Sequence, residues 1–243
     1  MSGQPDNALP EGFPGDYRIR PAHYVQLDVG ATTRNLVHVW LPESVRCDGH
    51  SVFFLPQDVR TLTCERTAGS GVCVRGEAPG LVSWSGTVED CPFGVALRLE
   101  VTNTSGRRLA GVGASPCFQL AAAPDFRDFG LERTLFRSGG RWRKLPPSTA
   151  EAQARVRFSG ADAPQDLPLV VVDSSTGPHT IGVVFRGGQG VGVNCQGAFG
   201  CLHSHPSAAD LEPCQTWCAE GRLYIHPEGR DALLRLAEEF VAA

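Results

Sequence analysis

Features that would point to a membrane or to nucleic acid are missing from this sequence of 243 residues. No apolar run approaches the roughly 20 residues that a membrane-spanning helix needs, so we expect no membrane partner. The 22 basic residues are outnumbered by 26 acidic residues, the two signs are interspersed, and Lys144 is the only lysine. Because proteins that bind nucleic acids normally carry a basic surface, this composition predicts no nucleic-acid partner.

The N-terminal stretch also lacks the parts of a secretory signal. Residues 1–17 read MSGQPDNALPEGFPGDY, with neither a basic segment nor an apolar segment. We therefore predict a cytoplasmic protein, whose thiols stay reduced. The nine cysteines are an odd number, and their spacing matches no compact disulfide framework. Residues 1–16 have little hydrophobic periodicity and are predicted to form a flexible arm.

Short alternating segments separated by turn residues make up most of the remaining sequence. Residues 35–41 and 95–103 alternate between apolar and polar side chains, and Gly139 and Gly140 separate two further segments of this kind. This succession is typical of an all-β sandwich. Only residues 228–241 have the three- and four-residue spacing of apolar side chains that indicates a helix.

We therefore predict one domain over residues 17–243 that is all-β, an antiparallel two-sheet β sandwich with a C-terminal α-helix. The helix is predicted over residues 228–241, as a lid on one edge of the sandwich.

Thiol and imidazole side chains alternate in residues 201–205, Cys-Leu-His-Ser-His. In an extended strand, Cys201, His203 and His205 share one face. A histidine near its ordinary pKa can take up or release a proton at neutral pH, so one hypothesis makes His203 and His205 a catalytic acid and base. A carboxylate would orient them, and the candidates from spacing alone are Asp125, Asp128, Glu132 and Asp210, of which we take Asp128 and Glu132 as catalytic.

A second hypothesis assigns Cys201, His203 and His205 to a divalent transition metal. Zn²⁺ accepts one thiolate and two imidazoles and leaves a fourth position for water in catalytic sites, and copper or iron also accept these ligands. A third interpretation is structural, with the two histidines capping the turn before Pro206. The sequence indicates no cofactor other than such a metal.

Charged and aromatic residues alternate in residues 125–133, and this segment could form one wall of a pocket. Arg127 and Arg133 are predicted to hold a carboxylate or phosphate of the substrate. Trp142 could stack on the face of a sugar ring. Asn194 and Tyr224 complete the predicted substrate-binding set. The alternative is that the charged segment is an ion-paired surface loop and that the tryptophan packs in the core.

Two segments of the chain resemble galactose-mutarotase-like supersandwich proteins. In that group a strand ending in Asn-Thr precedes a small-residue segment and then a strand of the His-Pro-Tyr-Phe type. Here Leu97–Thr104 ends in Asn-Thr, and Leu109 and Gly113–Leu120 follow. Within the last segment, Ser115-Pro116-Cys117-Phe118 stands where the group has the His-Pro-Tyr-Phe sequence. The Leu-x-Pro-Gly-Glu turn that precedes the last strand of the group is matched by Leu211-Glu212-Pro213-Cys214-Gln215.

Residues 125–145 and 194–225 also resemble a group of uncharacterised bacterial proteins, whose tail has the form Cys-x-His-x-x-Pro, then Leu-x-Pro-Gly, then Gly-x-x-Tyr. The first resemblance implies a two-sheet sandwich and, by analogy, a sugar-like ligand. Because Ser115 stands where the group has histidine, the resemblance does not carry over the mutarotase activity.

These observations lead us to expect an enzyme that acts on a small polar substrate, either sugar-like or a natural-product intermediate. The expected reaction is a proton transfer of isomerase or lyase type that uses histidine acid-base chemistry. One alternative is a metal-dependent enzyme with zinc, copper or iron on the Cys-x-His-x-His site. The other is a carbohydrate-binding module without catalysis.

Overall fold

The computed structural model describes residues 17–19, 25–29, 34–54, 58, 62–67, 71–144, 155–159, 167–194 and 200–243. The predicted arm over residues 1–16 lies outside this part. The described strands are β1 (Tyr17–Ile19), β2 (Val25–Asp28), β3 (Leu36–Cys47), β4 (His50–Phe54), β5 (Thr63–Arg66), β6 (Val72–Ala78), β7 (Val82–Cys91), β8 (Gly94–Asn103), β9 (Leu109–Ala122), β10 (Thr134–Ser138), β11 (Arg141–Lys144), β12 (Arg155–Ser159), β13 (Leu169–Asp173), β14 (Thr180–Phe185), β15 (Gly190–Asn194), β16 (Cys201–His205), β17 (Ala209–Leu211) and β18 (Thr216–His226). One helix, α1 (Arg230–Ala242), follows the last strand.

The strands form two sheets, each of nine strands. In the first sheet the order is β1-β2-β3-β9-β16-β15-β12, with β4 paired to β3 and β17 paired to β9. In the second sheet the order is β11-β10-β13-β14-β18-β8-β7-β6-β5. The pairs in both sheets are antiparallel. The predicted antiparallel two-sheet sandwich with a C-terminal helix is confirmed.

The main core lies between the two sheets and follows from the alternation of side chains along the strands. In β8, every second residue from Val95 to Val101 is buried and belongs to this core. In the first sheet Val39, Phe118 and Leu202 are buried in the same core. Because successive side chains of a strand point to opposite faces, the residues between them lie on the outer faces of the sandwich.

The helix α1 packs on the outer face of the second sheet. Leu233, Ala237 and Phe240 form a second apolar cluster with Leu169 and Val171 of β13. Val170 and Val172 of the same strand belong to the main core, so β13 is buried on both faces, as an unbroken apolar run requires. Within the described residues, no helix is both long enough and apolar enough to span a membrane.

The predicted position of the helix over a sandwich edge was wrong. The helix follows β18 after a short turn, and β18 lies between β14 and β8 in the interior of the second sheet. A short connection from an interior strand places the helix over a sheet face and not over an edge. The helix begins at Arg230 instead of residue 228, because Pro227 and Glu228 form a turn and Gly229 has a φ of 86°.

A close approach of the two sheets occurs between β7 and β3. A Cβ placed on Gly86 would lie only 2.1 Å from the carbonyl oxygen of Leu41. We expect Gly86→Ala to lower the free energy of unfolding by about 1–3 kcal/mol, because a backbone carbonyl in a packed core cannot move away cheaply. Urea unfolding followed by circular dichroism measures this change.

The matched control is Gly106→Ala, in an exposed turn where an added Cβ would meet no atom within 4 Å. We expect the control to stay within about 0.5 kcal/mol of the parent protein. Equal stability of the two variants would show that the sheets do not approach each other at Gly86.

Candidate functional site

The register between β9 and β16 brings a group of thiol and imidazole side chains together. Leu202 is opposite Phe118, and both point into the main core. Ser204 also points inward, since its hydroxyl accepts a hydrogen bond from the Phe185 N–H and donates one to the Pro168 carbonyl. Cys201, His203 and His205 therefore lie on the outer face of the first sheet, as the alternation predicts.

Cys117 and Gln119 lie on the same outer face, on either side of the inward-facing Phe118. Cys201 is directly opposite Gln119 in the ladder. On the next strand, β3, His38 is opposite Gln119 and Trp40 is opposite Cys117. The His38 Nδ1 lies 3.3 Å from the Gln119 Oε1.

The strand on the other side of β16 has a glycine opposite each of the two imidazoles. Gly192 is opposite His203 and Gly190 is opposite His205. Because glycine has no side chain, β15 places nothing beside either ring. Asn194, predicted to bind substrate, is opposite Cys201 in the same ladder. We use the name polar face for this part of the first sheet, which consists of His38, Trp40, Cys117, Gln119, Cys201, His203 and His205.

A compact cluster lies within the polar face. The Sγ atoms of Cys117 and Cys201 and a ring nitrogen of His203 all lie within 4.8 Å of one another. Cys117 and Cys201 are only 2% and 4% exposed, whereas His203 is partly exposed. The predicted metal-binding set was Cys201, His203 and His205. The structure brings the first two together and adds Cys117, which the sequence analysis did not include.

His205 lies beside this cluster as a second imidazole. Its ring is nearly parallel to that of His203, with an angle of 10° between the planes and 5.7 Å between the ring centroids. The two rings are therefore stacked side by side along β16.

Hydrogen bonding between the two thiols separates their pKa values. The Cys117 thiol donates to the Cys201 sulfur and His203 forms a further hydrogen bond with it, and together they lower the pKa of Cys201 from 9.0 to about 6 despite burial. The same hydrogen bond to Cys201, together with burial and the nearby Cys201 charge, raises the pKa of Cys117 well above 9.0. The pair therefore holds one proton at neutral pH. We place the negative charge on Cys201, because His203 contacts that sulfur.

The hydrogen bond of His203 to the backbone determines its tautomer. The His203 Nδ1 lies 2.9 Å from the carbonyl oxygen of Pro116. A carbonyl oxygen only accepts, so Nδ1 carries a proton and donates it. In the neutral ring Nε2 carries the lone pair and can accept a proton or bind a metal, and only the protonated ring can also donate from Nε2 to the Cys201 sulfur.

The carboxylates of Asp128 and Glu132, which were predicted to be catalytic, have partners away from the histidines. The Asp128 carboxylate accepts hydrogen bonds from the backbone N–H groups of Glu132 and Arg133 and from the Thr134 hydroxyl. Glu132 forms an exposed ion pair with Lys144. The structure does not bring either carboxylate to the histidines, because both belong to the loop that enters β10 of the other sheet.

The other two carboxylates considered from spacing also have structural partners. Asp125 is buried and accepts a 2.8 Å hydrogen bond from the Asn35 side chain. Asp210 pairs with Arg108 at 2.7 Å. Glu43 of β3 is a carboxylate near the cluster. Its charge adds to the Cys201 hydrogen bond and burial in raising the pKa of Cys117, and it partly opposes the lowering of the Cys201 pKa by the Cys117 hydrogen bond.

The predicted arginines lie in the same loop as Asp128. The Arg133 guanidinium donates to the backbone carbonyls of Asp125, Arg127 and Asp173, so it ties the loop to the end of β13. Arg127 is exposed in this loop. Neither arginine has a described contact with a residue of the polar face.

Trp142 and Tyr224 lie on the opposite side of the sandwich from His203. The Trp142 Nε1 donates to Asp231 of the helix at 2.9 Å. The Tyr224 hydroxyl donates to the carbonyl of Leu236 at 3.3 Å, and burial raises its pKa to about 12. Both pack in the cluster under α1, on the outer face of the second sheet. The structure therefore does not bring these two predicted substrate-binding residues to the histidines.

The sequence analysis missed Cys117, His38, Gln119 and Glu43. One signal for Cys117 and Gln119 was present, since both belong to the segment 115–120 that resembles the His-Pro-Tyr-Phe-type strand. Alternation around Phe118 would place both on the outer face. No sequence signal identifies β16 as the neighbour of this strand.

Comparison with known proteins supports the fold. No protein-family model matches the sequence, and no curated protein matches it. A solved structure of the Slr1438 protein from Synechocystis sp. PCC 6803 has a TM-score of 0.56 and 13% identity, and the match covers 94% of this chain and 99% of that chain. A galactose mutarotase-like protein from Lactobacillus casei ATCC 334 has a TM-score of 0.52 and 14% identity, with 87% of this chain and 97% of that chain covered.

A galactose mutarotase related enzyme from Lactobacillus acidophilus has a TM-score of 0.51 and 12% identity, over 92% of this chain and 96% of that chain. At this level of sequence identity, structural similarity is evidence for a shared fold and not for a shared activity. The chain has the fold of galactose mutarotase-like proteins, which confirms the resemblance seen in the segments around Phe118. The resemblance of the Cys-x-His-x-x-Pro tail stays a prediction.

The low pKa of Cys201 leads to a prediction for its alkylation in metal-free protein. The rate of modification by iodoacetamide should rise with pH to a midpoint of about 6, because the thiolate is the reactive form. An ordinary thiol would show a midpoint of about 8.5. Mass spectrometry of the peptide that contains Cys201, after timed alkylation at each pH, measures the profile.

In Cys117→Ala the midpoint for Cys201 should move upward, because the largest hydrogen bond to its sulfur is lost. Cys73→Ala removes a buried thiol of the second sheet and should leave the midpoint unchanged. A midpoint near 8.5 in the parent protein would contradict the described hydrogen bonds.

Proposed function

We propose that this chain is an enzyme that binds a small, sugar-like molecule on the polar face and catalyses a proton transfer of isomerase type. His203 and His205 are the groups that take and return the proton. The observation that carries the proposal is the pair of nearly parallel imidazoles, 5.7 Å apart, on the outer face of a galactose mutarotase-like sandwich.

The arrangement of the two rings suits an isomerisation. Such a reaction removes a proton from one atom of the substrate and delivers a proton to the same or a neighbouring atom. Two imidazoles on one strand can reach neighbouring atoms of a small molecule, and each can exchange protons at neutral pH. Because both belong to β16 and are two residues apart, their spacing is set by the strand.

The rest of the polar face supplies groups that suit a polyhydroxylated ligand. Gln119 and His38 offer amide and imidazole groups one and two strands away from His203, and Trp40 offers an aromatic surface. Gly190 and Gly192 place no side chain opposite either imidazole. Sugar-binding sites commonly combine side-chain amides with an aromatic surface, because sugar rings have both hydroxyl groups and apolar C–H faces.

The names of two similar structures agree with this substrate class. The Lactobacillus casei protein is described as galactose mutarotase-like, and the Lactobacillus acidophilus protein as a galactose mutarotase related enzyme. Fold alone does not determine activity, so the choice of isomerisation depends on the imidazole pair of this chain.

The experiment measures solvent exchange and isomerisation directly. Free aldoses, ketoses and their phosphates are incubated with the protein in D2O, and proton NMR follows both anomer interconversion and deuterium incorporation at carbon. We expect turnover of at least one of these sugars. His203→Ala and His205→Ala should each lower kcat/KM by roughly 10²- to 10⁴-fold, because each removes a general acid or base.

His50→Ala is the matched control, because it removes an exposed histidine from β4. This variant should keep full activity. Full activity in both His203→Ala and His205→Ala, with circular dichroism unchanged, would overturn the proposal. Sugar binding without turnover by the parent protein would also overturn it, and would favour a carbohydrate-binding module.

A further inference from the structure

We propose that Cys117, Cys201 and His203 bind one soft divalent metal ion, with Zn²⁺ as the best fit, and leave a fourth coordination position open toward the polar face. Two sulfur ligands and one imidazole are a donor set that favours zinc over magnesium or calcium. Metal binding does not depend on the proposed sugar chemistry. This ligand set replaces the Cys201, His203 and His205 set expected from the sequence.

The distances within the cluster suit a tetrahedral ion. Zn–S bonds of about 2.3 Å and Zn–N bonds of about 2.0–2.1 Å place the ligand atoms about 3.5–3.8 Å apart. The three ligand atoms of Cys117, Cys201 and His203 already lie within 4.8 Å of one another. A closure of at most about 1.3 Å is within reach of small side-chain rotations, and the two paired strands need not move.

The surroundings of His203 are those of a metal ligand. Its Nδ1 donates to the Pro116 carbonyl at 2.9 Å, which holds the ring and leaves Nε2 with the lone pair. Histidine ligands in proteins usually have this second hydrogen bond from the other ring nitrogen to a backbone carbonyl or carboxylate. Pro116 precedes Cys117, so one short segment of β9 provides both a ligand and the group that orients another ligand.

Charge also favours a cation at this position. Two thiolates side by side, with the Glu43 carboxylate nearby, would repel one another without a cation. A divalent cation compensates two thiolates and removes that repulsion. Both sulfurs are nearly inaccessible to solvent, which strengthens their attraction to a cation.

The other described cysteines offer no such set. Cys214 and Cys218 are exposed. Among the described residues, Cys117, Cys201 and His203 are the one group of three potential metal-binding side chains whose ligand atoms all lie within 4.8 Å of one another. His205 stands one ring away, with its centroid 5.7 Å from that of His203. The open position is therefore left for water or for an oxygen atom of a bound molecule, as in zinc sites with three protein ligands.

Metal binding and proton transfer by His203 exclude each other, because both use the Nε2 lone pair. The metal-bound protein should therefore lose the isomerase activity proposed above. Metal binding is measured by spectroscopy without any substrate. If the protein turned over no sugar, the proposed metal site would be unaffected. If the protein bound no metal, the proposed isomerase activity would be unaffected.

The test is a titration of reduced, chelator-treated full-length protein with Co²⁺, followed by displacement with Zn²⁺. We expect one Co²⁺ per chain, with a sulfur-to-cobalt charge-transfer band in the near ultraviolet and intense visible bands of tetrahedral cobalt. Zn²⁺ should abolish these bands at one equivalent. Cys117→Ser, Cys201→Ser and His203→Gln should each bind roughly 100-fold more weakly, since each loses one of three protein ligands.

Two control variants distinguish this ligand set from others. His205→Ala should keep the bands, because His205 is not a ligand, and Cys73→Ser should keep them because that buried thiol belongs to the second sheet. Serine replaces cysteine with little change in volume, and circular dichroism confirms that each variant is folded. Absence of the charge-transfer band in the parent protein would overturn the inference. Retention of the band in Cys117→Ser, or its loss in His205→Ala, would overturn it as well.

Discussion

The pairing of β16 with β9, with Cys201 opposite Gln119, is the constraint on which the site depends. It places Leu202 against Phe118 inside the sandwich and leaves Cys117, Cys201 and His203 together on the outer face. Because side chains alternate with a period of two, a slip of one residue would bury the imidazoles and expose the core side chains. Burial of Leu202 in the core thus determines that Cys201 and His203 lie on the outer face.

The two outer faces of the sandwich have different roles. On the second sheet α1 covers the apolar part of the outer face, where Leu233 and Phe240 pack against β13. The outer face of β8 carries charged side chains such as Arg98 and Glu100. On the first sheet the outer face is polar and holds the thiols and imidazoles. The helix adds stability on the side remote from the site, so the polar face can keep the buried, charged Cys201 at a cost that the remaining core offsets.

Local patterns predicted the fold well, because a strand that is half buried has alternating side chains and a helix has a three- to four-residue spacing. These patterns identified β8, β13, the β10–β11 hairpin and the C-terminal helix. They also placed Cys201, His203 and His205 on one face. They could not indicate which strands are neighbours, since β9 and β16 are far apart in sequence and pair through tertiary structure. Cys117 and Glu43 were missed for that reason.

Because alternation does not give the order of the strands, several residues predicted for the substrate site lie far from the histidines in the structure. Trp142 and Tyr224 were chosen for their chemistry, but alternation does not say to which sheet a strand belongs, and both lie under α1. Asp128 and Arg133 are polar residues whose hydrogen bonds organise a loop, a role that charge and spacing do not reveal. The structure therefore brings together the residues that were predicted from one strand, and it does not bring together those predicted from several strands.

A crystal structure of the reduced, metal-free protein tests the central claim most directly. The account predicts Cys201 opposite Gln119, with the Sγ atoms of Cys117 and Cys201 and a ring nitrogen of His203 within 4.8 Å of one another on the outer face. A register shifted by one residue, with the two sulfurs on opposite faces of the sheet, would contradict it.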